Sequence, residues 1–151
     1  MSTTIERAAR IVVGVDGSDS SLAALNWAAR QAELTGSSVE AVIAWRLPMS
    51  YGFPVPVAPN FDLAGEASRV LDDAITSIRS AHPKMAIETS VREGYAAHVL
   101  VGASRDAELL VVGSSGHGEL TGMLLGSVSE YCVAHSHCPV LIVPSSHVVH
   151  A

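Results

Sequence analysis

The sequence predicts an α/β fold: one parallel sheet of five strands with helices on both sides. Three observations lead there. Five short apolar runs alternate with helical patterns along the chain. Several of those runs are apolar at every position, as strands covered on both faces are. The recurring order strand, helix, strand requires crossover connections, which are right-handed and make the sheet parallel. At 151 residues the chain fits a single domain, since domains commonly span about 100–200 residues. Its core is expected over about 11–144, with flexible tails at either end.

The first strand is Ile11-Val12-Val13-Gly14-Val15, ending at Asp16. A helix follows with Leu22, Leu25, Ala29 and Ala32 on one stripe, Ser18 or Asp19 to cap its start and Gly36 to end it. The second strand spans Val39 to Trp45. Arg46 to Phe61 breaks the rhythm, with Pro48, Pro54, Pro56 and Pro59 and no helical period. A loop of that length in a small domain is either a lid over a site or a solvated excursion. The next helix begins near Asp62, carries Val70, Leu71, Ala74, Ile75 and Ile78 inward, and stops before Pro83. The third strand, Ile87 to Arg92, has polar residues at several positions and reads as a half-exposed edge. A short helix covers Ala96 to Ala103. The fourth strand is Leu109 to Val112, closed by Gly113. The last helix begins at Ser127 with Val128, Tyr131 and Cys132 on one face, and the fifth strand is Val140 to Val143 between Pro139 and Pro144.

Composition narrows the function. With 48% hydrophobic and 16% charged residues, the chain has material for a substantial core and is not disordered. The net charge is −6, and no basic run exists to neutralise phosphates, so nucleic acid is not an expected partner. No apolar stretch approaches the roughly 18 residues of a membrane helix, so no membrane partner is expected either. Met1 to Arg10 is polar and does not read as a signal peptide. Cys132 and Cys138 make no disulfide framework and read as thiols of a reducing cytoplasm.

The chemistry concentrates at two strand ends. Gly113-Ser114-Ser115-Gly116-His117-Gly118 opens where the fourth strand stops, and Gly126-Ser127-Val128-Ser129 leads into the last helix. Glycines there let the backbone approach a ligand, and a helix start offers free N–H groups and a positive dipole end to an anion such as phosphate. The alternative is a glycine-rich turn that binds nothing. Neither a Walker A motif nor a dinucleotide fingerprint is present, and no lysine lies near the loop. Phosphates would be held by backbone N–H groups and hydroxyls, with Mg²⁺ available to offset charge. Asp16, after Gly14 and Val15, can accept hydrogen bonds from a ribose or cap its own turn with Ser18. Trp45 either walls a base or packs under the long loop. His135, His137 and Cys138 cluster in sequence but straddle a helix end and a strand start, so no metal site is expected.

The spacing Gly113-x2-Gly116-x9-Gly126-Ser127 is similar to the nucleotide-binding signature of the universal stress protein family. The opening Val15-Asp16-Gly17-Ser18 and the closing Cys138-Pro139-Val140-Leu141-Ile142-Val143 also resemble that family, so the likeness runs from about Ile11 to Pro144. It implies a flavodoxin-like (Rossmann-like) doubly wound sheet of strand order 3-2-1-4-5, in the ATP-binding branch. Asp16 and Gly113 would then meet the ribose, and Gly116, Gly126, Ser127 and Val128 the phosphates. Val15 and the Ala44-Trp45 pair would border the base. ATP is the ligand that the resemblance implies, with AMP or cyclic AMP as alternatives because Trp45 stands where family members usually carry a smaller aliphatic residue.

The function expected is that of a cytoplasmic adenine-nucleotide-binding stress-response protein with no catalytic residues. Slow ATP hydrolysis or self-phosphorylation, with His117 and Glu119 the nearest candidates, is one alternative. An interaction module with a vestigial pocket is the other. The fifth strand, apolar and without lysine, should be an edge that pairs with its own copy, and a homodimer through Val140, Leu141, Ile142 and Val143 is also what the resemblance implies.

Overall fold

Ile11, Val12 and Val13 are buried on both sides of the sheet, and that burial follows from their place at its centre. The computed structural model describes residues 9–115 and 125–145. In chain order these form β1 (Arg10–Gly14), α1 (Asp19–Thr35), β2 (Ser38–Trp45), β3 (Met49–Ser50), β4 (Phe53–Pro54) and α2 (Leu63–Arg79). Then come β5 (Ile87–Glu93), α3 (Ala96–Ala103), β6 (Leu109–Gly113), α4 (Ser127–His135) and β7 (Val140–Val143). The main sheet has five parallel strands in the order β5-β2-β1-β6-β7. Leaving out the short β3–β4 hairpin, that is the order 3-2-1-4-5 of a flavodoxin-like fold.

Strand parity divides the core into two layers. Ile11, Val13, Val39, Ala41 and Ile43 face α1 and α2, where Leu25, Ala28, Leu71 and Ile75 meet them. Val12, Val42, Leu110 and Val112 face α3 and α4, against Leu100, Ala103 and Cys132. Each large aliphatic residue buried in this way contributes about 1.5–3 kcal/mol. The alanines of α1 let that helix lie close on β1 and β6.

Helix ends follow their capping chemistry. Ser18 caps α1 by accepting from the Ser21 N–H at 3.3 Å. Gly36 ends it in the left-handed region at φ 76°, its N–H bonded to the Ala32 carbonyl. Asp62 caps α2 through the Gly65 N–H at 3.0 Å. Beneath α3, the carboxylate of Glu40 is buried between Arg10 and Arg92, the latter at 3.2 Å. The Arg10 guanidinium also donates to the Ala103 and Arg105 carbonyls at 3.2 and 2.8 Å, closing the end of α3.

The stretch 46–61 is more ordered than its prolines suggest. Met49 pairs with Pro54 and Ser50 with Phe53 in an antiparallel hairpin, turned at Tyr51 and Gly52, both at positive φ. Every residue from 46 to 61 is nevertheless exposed. Among the described residues no helix is long and apolar enough to cross a membrane.

Candidate functional site

Strand order reverses between β1 and β6, whose onward connections run to opposite sides of the sheet. At such a switch point the carboxyl ends of the strands leave a crevice. A cavity of ≈ 310 Å³ lies there, a volume within the range of small-molecule sites. Gly14, Val15 and Asp16 enter it from the end of β1, Val42 and Ala44 from β2, and Val112, Gly113 and Ser115 from β6 and beyond. Ala96 and Leu100 of α3 form one wall, and Leu125 to Ser129 another.

The two ends of the cavity differ in chemistry. Val42, Ala44, Ala96 and Leu100 make one side apolar. The other side holds the start of α4. Gly126 occupies the N-cap with no side-chain hydrogen bond, and the first intrahelical bond is donated by the Glu130 N–H to the Gly126 carbonyl at 3.0 Å. The N–H groups of Ser127, Val128 and Ser129 therefore precede the helical ladder, next to the cavity and at the positive end of the helix dipole. Unlike α1 and α2, α4 has an N-cap residue with no side chain to compete for them. Among the described lining residues the one ionisable group is Asp16, and neither Lys nor Arg is present.

Asp16 sits in a tight turn. Its Oδ1 accepts from the Ser18 N–H at 2.9 Å and from the Ser18 hydroxyl. Gly17 takes φ 84° to allow this, a conformation that strains residues with a side chain. The Ser21 hydroxyl is 3.3 Å from the Asp16 N–H. Asp16 is thus both a turn cap and a cavity residue, two roles that sequence alone presents as alternatives.

The expected site residues separate into three groups. Gly14, Val15, Asp16, Ala44, Gly113, Ser115, Gly126, Ser127, Val128 and Ser129 all line the cavity. Trp45 does not. It lies on the other face of β2 and packs with the α1–α2 core, because neighbours in a strand point to opposite sides. Gly116, His117, Gly118 and Glu119 lie outside the described residues. Ser18, Ser21, Val42, Ala96, Leu100 and Val112 also line the cavity, though sequence reasoning did not place them in the site. Three of them carry a signal: Val42 shares the parity of Ala44, and Ser18 and Ser21 stand at the spacing of a cap and its third residue.

Gly113 has a packing reason for its identity. A Cβ there would lie 2.7 Å from the carbonyl carbon and 2.8 Å from the Cβ of Ser20 in α1. At Gly14 it would meet the Leu100 side chain at 2.7 Å. Elsewhere, the His135 ring packs on Tyr131 with centroids 4.2 Å apart, and the His137 N–H donates to the Ser104 hydroxyl. No group of three or more His, Cys, Asp or Glu is placed to hold a metal among the described residues.

Comparison with known proteins agrees with this fold. The model of the universal stress protein family matches residues 8–144. Universal stress protein Rv2623 of Mycobacterium tuberculosis is 35% identical over 142 residues, covering 88% of this chain and 46% of the relative. The chain thus spans about half the length of the curated relatives it matches. A solved universal stress protein in complex with cAMP has a TM-score of 0.69 at 29% identity, over 93% of this chain and 100% of the other. A universal stress protein from Archaeoglobus fulgidus in complex with dAMP has a TM-score of 0.65 at 23% identity, over 89% and 97% of the two chains, and supports the fold.

Proposed function

We propose that this chain, which belongs to the universal stress protein family, binds an adenine nucleotide in the cavity at the ends of β1 and β6. The observation that carries the reading is the start of α4, whose N–H groups border the cavity with no side-chain cap. A phosphate there would gain charge-assisted bonds without a lysine. The ribose would lie toward Asp16 and the base in the apolar part between Ala44, Ala96 and Leu100. The cAMP complex of a relative at 29% identity supports an adenine nucleotide as ligand.

ATP is the ligand that the resemblance of the glycine spacing to the family signature implies. With Asp16 the one ionisable group among the described lining residues, a triphosphate would bring Mg²⁺ to offset its charge, whereas AMP and cyclic AMP need none. The role proposed is that of a cytoplasmic stress-response protein, a binder rather than an enzyme, acting as a homodimer.

Calorimetric titration of ATP, AMP and cyclic AMP into wild type and Asp16→Ala tests the site. Hydrogen bonds to a charged group contribute about 1.5–3 kcal/mol, so the variant should bind about 10- to 100-fold more weakly. Wild-type affinity in a folded Asp16→Ala protein would remove Asp16 from the site. Steady-state phosphate release from ATP, with and without Mg²⁺, tests the absence of turnover.

A further inference from the structure

We infer that Ser20 is a positioning residue of the proposed nucleotide site, acting from α1 on the segment that follows β6; the inference rests on the nucleotide reading above. Ser20 is 1% exposed and stands in the first turn of α1. Serine hydroxyls on helices commonly turn back to their own backbone. Here Ser21 bonds to the Ser18 carbonyl, Ser77 to that of Ala74 and Ser104 to that of Val101. Ser20 does not. Its hydroxyl crosses to another element and donates to the Ser115 carbonyl, 95 residues away in sequence.

That bond belongs to a set. Ser129, 2% exposed, donates from α4 to the Gly113 and Ser114 carbonyls at 3.1 and 3.3 Å. The Gly126 N–H donates to the Ser114 carbonyl at 2.7 Å. Three consecutive carbonyl oxygens at the end of β6 are therefore engaged by donors from α1 and α4. An unengaged carbonyl beside a phosphate would repel it, and a mobile one would have to be ordered on binding. Gly113 completes the arrangement, since only a residue without Cβ lets Ser20 come this close. Ser20 touches no ligand in this account. It holds the backbone that does.

The role predicts a dependence on phosphate that a merely structural serine would not show. AMP and adenosine are titrated into wild type, Ser20→Ala and Ser104→Ala. Ser104 is also buried and also hydrogen-bonded, but at the far end of α3. Ser20→Ala should bind AMP about five- to tenfold more weakly, the effect of one net hydrogen bond, with adenosine affinity within about twofold of wild type. Ser104→Ala should lose thermal stability and keep both affinities. AMP affinity within about twofold of wild type in Ser20→Ala, or an equal loss for AMP and adenosine, would overturn the positioning role. Wild-type protein that bound neither ligand would overturn the nucleotide reading, and this inference with it. If Ser20→Ala does not fold, as judged by circular dichroism, Ser20→Cys must give the same split, because a thiol nearly preserves the volume but donates weakly.

Discussion

Cys132 and Cys138 show how far environment separates two like residues. Cys132 is fully buried between α4 and the sheet, and desolvation pushes its thiol up from 9.0 to about 11. Burial disfavours the thiolate, so Cys132 is a packing residue and not a nucleophile. The sign of the linkage follows. Its contribution is fully present below about pH 9, where both states hold the proton, and is lost as pH rises toward 11 and the unfolded chain alone ionises. Native protein at pH 8 should therefore leave Cys132 unalkylated by iodoacetamide, and denaturant should expose it. Mass spectrometry of the digested protein reads the difference, and rapid native labelling at Cys132 would contradict its burial.

At the level of elements, β2 repays attention because its two faces do different work. Odd positions through Ile43 and Trp45 pack on α1 and α2, while Val42 and Ala44 open to the cavity. Glu40, on the same face as Val42, is the exception, a charge placed in a strand otherwise suited to burial. Arg10 and Arg92 compensate it, and through Arg10 it also anchors the end of α3. Removing Glu40 leaves two partly exposed guanidiniums without their carboxylate, Arg10 keeping its bonds to the α3 carbonyls. Glu40→Ala should cost about 2–4 kcal/mol of stability, somewhat below a fully buried pair because Arg92 is partly exposed. The measurement is a urea midpoint, and Glu40→Gln, which keeps an acceptor, should lose less. An unchanged midpoint would mean that the network does not stabilise the fold.

For the whole molecule, the two edges of the sheet are unlike. β5 is exposed and carries Glu88, Arg92 and Glu93, charges that discourage pairing with another chain. β7 is Val-Leu-Ile-Val, half-buried at all four positions and without any charge. An apolar edge left in this state favours a partner, and a second copy about a two-fold axis would close the assembly. Light scattering should return twice the monomer mass of 15.7 kDa at tens of micromolar, and Leu141→Lys should shift it to the monomer. A monomeric wild type would dismiss the interface. Because the proposed nucleotide site opens at the strand ends and not at this edge, the variant should keep its ligand affinity.

Much of this was legible without coordinates. Continuous apolar runs such as Val12-Val13 and Leu110-Val111 specify strands buried on both faces, and Ser18, Gly36 and Asp62 mark helix limits by their own hydrogen-bonding and conformational preferences. Gly113 and Gly126 locate the site because glycine at strand–helix junctions is a local property of the chain. What local chemistry leaves undecided is contact between distant segments. Period two says that Ala44 and Trp45 face opposite ways, but only the packing of α3 and α4 decides that the cavity is on Ala44's side. The hairpin at Met49–Pro54 depends on a pairing that its prolines conceal. Ser20 reads as one more serine in a helix start until β6 is brought beside α1. Hydrophobic pattern and backbone preference are set by neighbours in sequence, whereas the partner of a buried hydroxyl is set by which elements the fold makes adjacent.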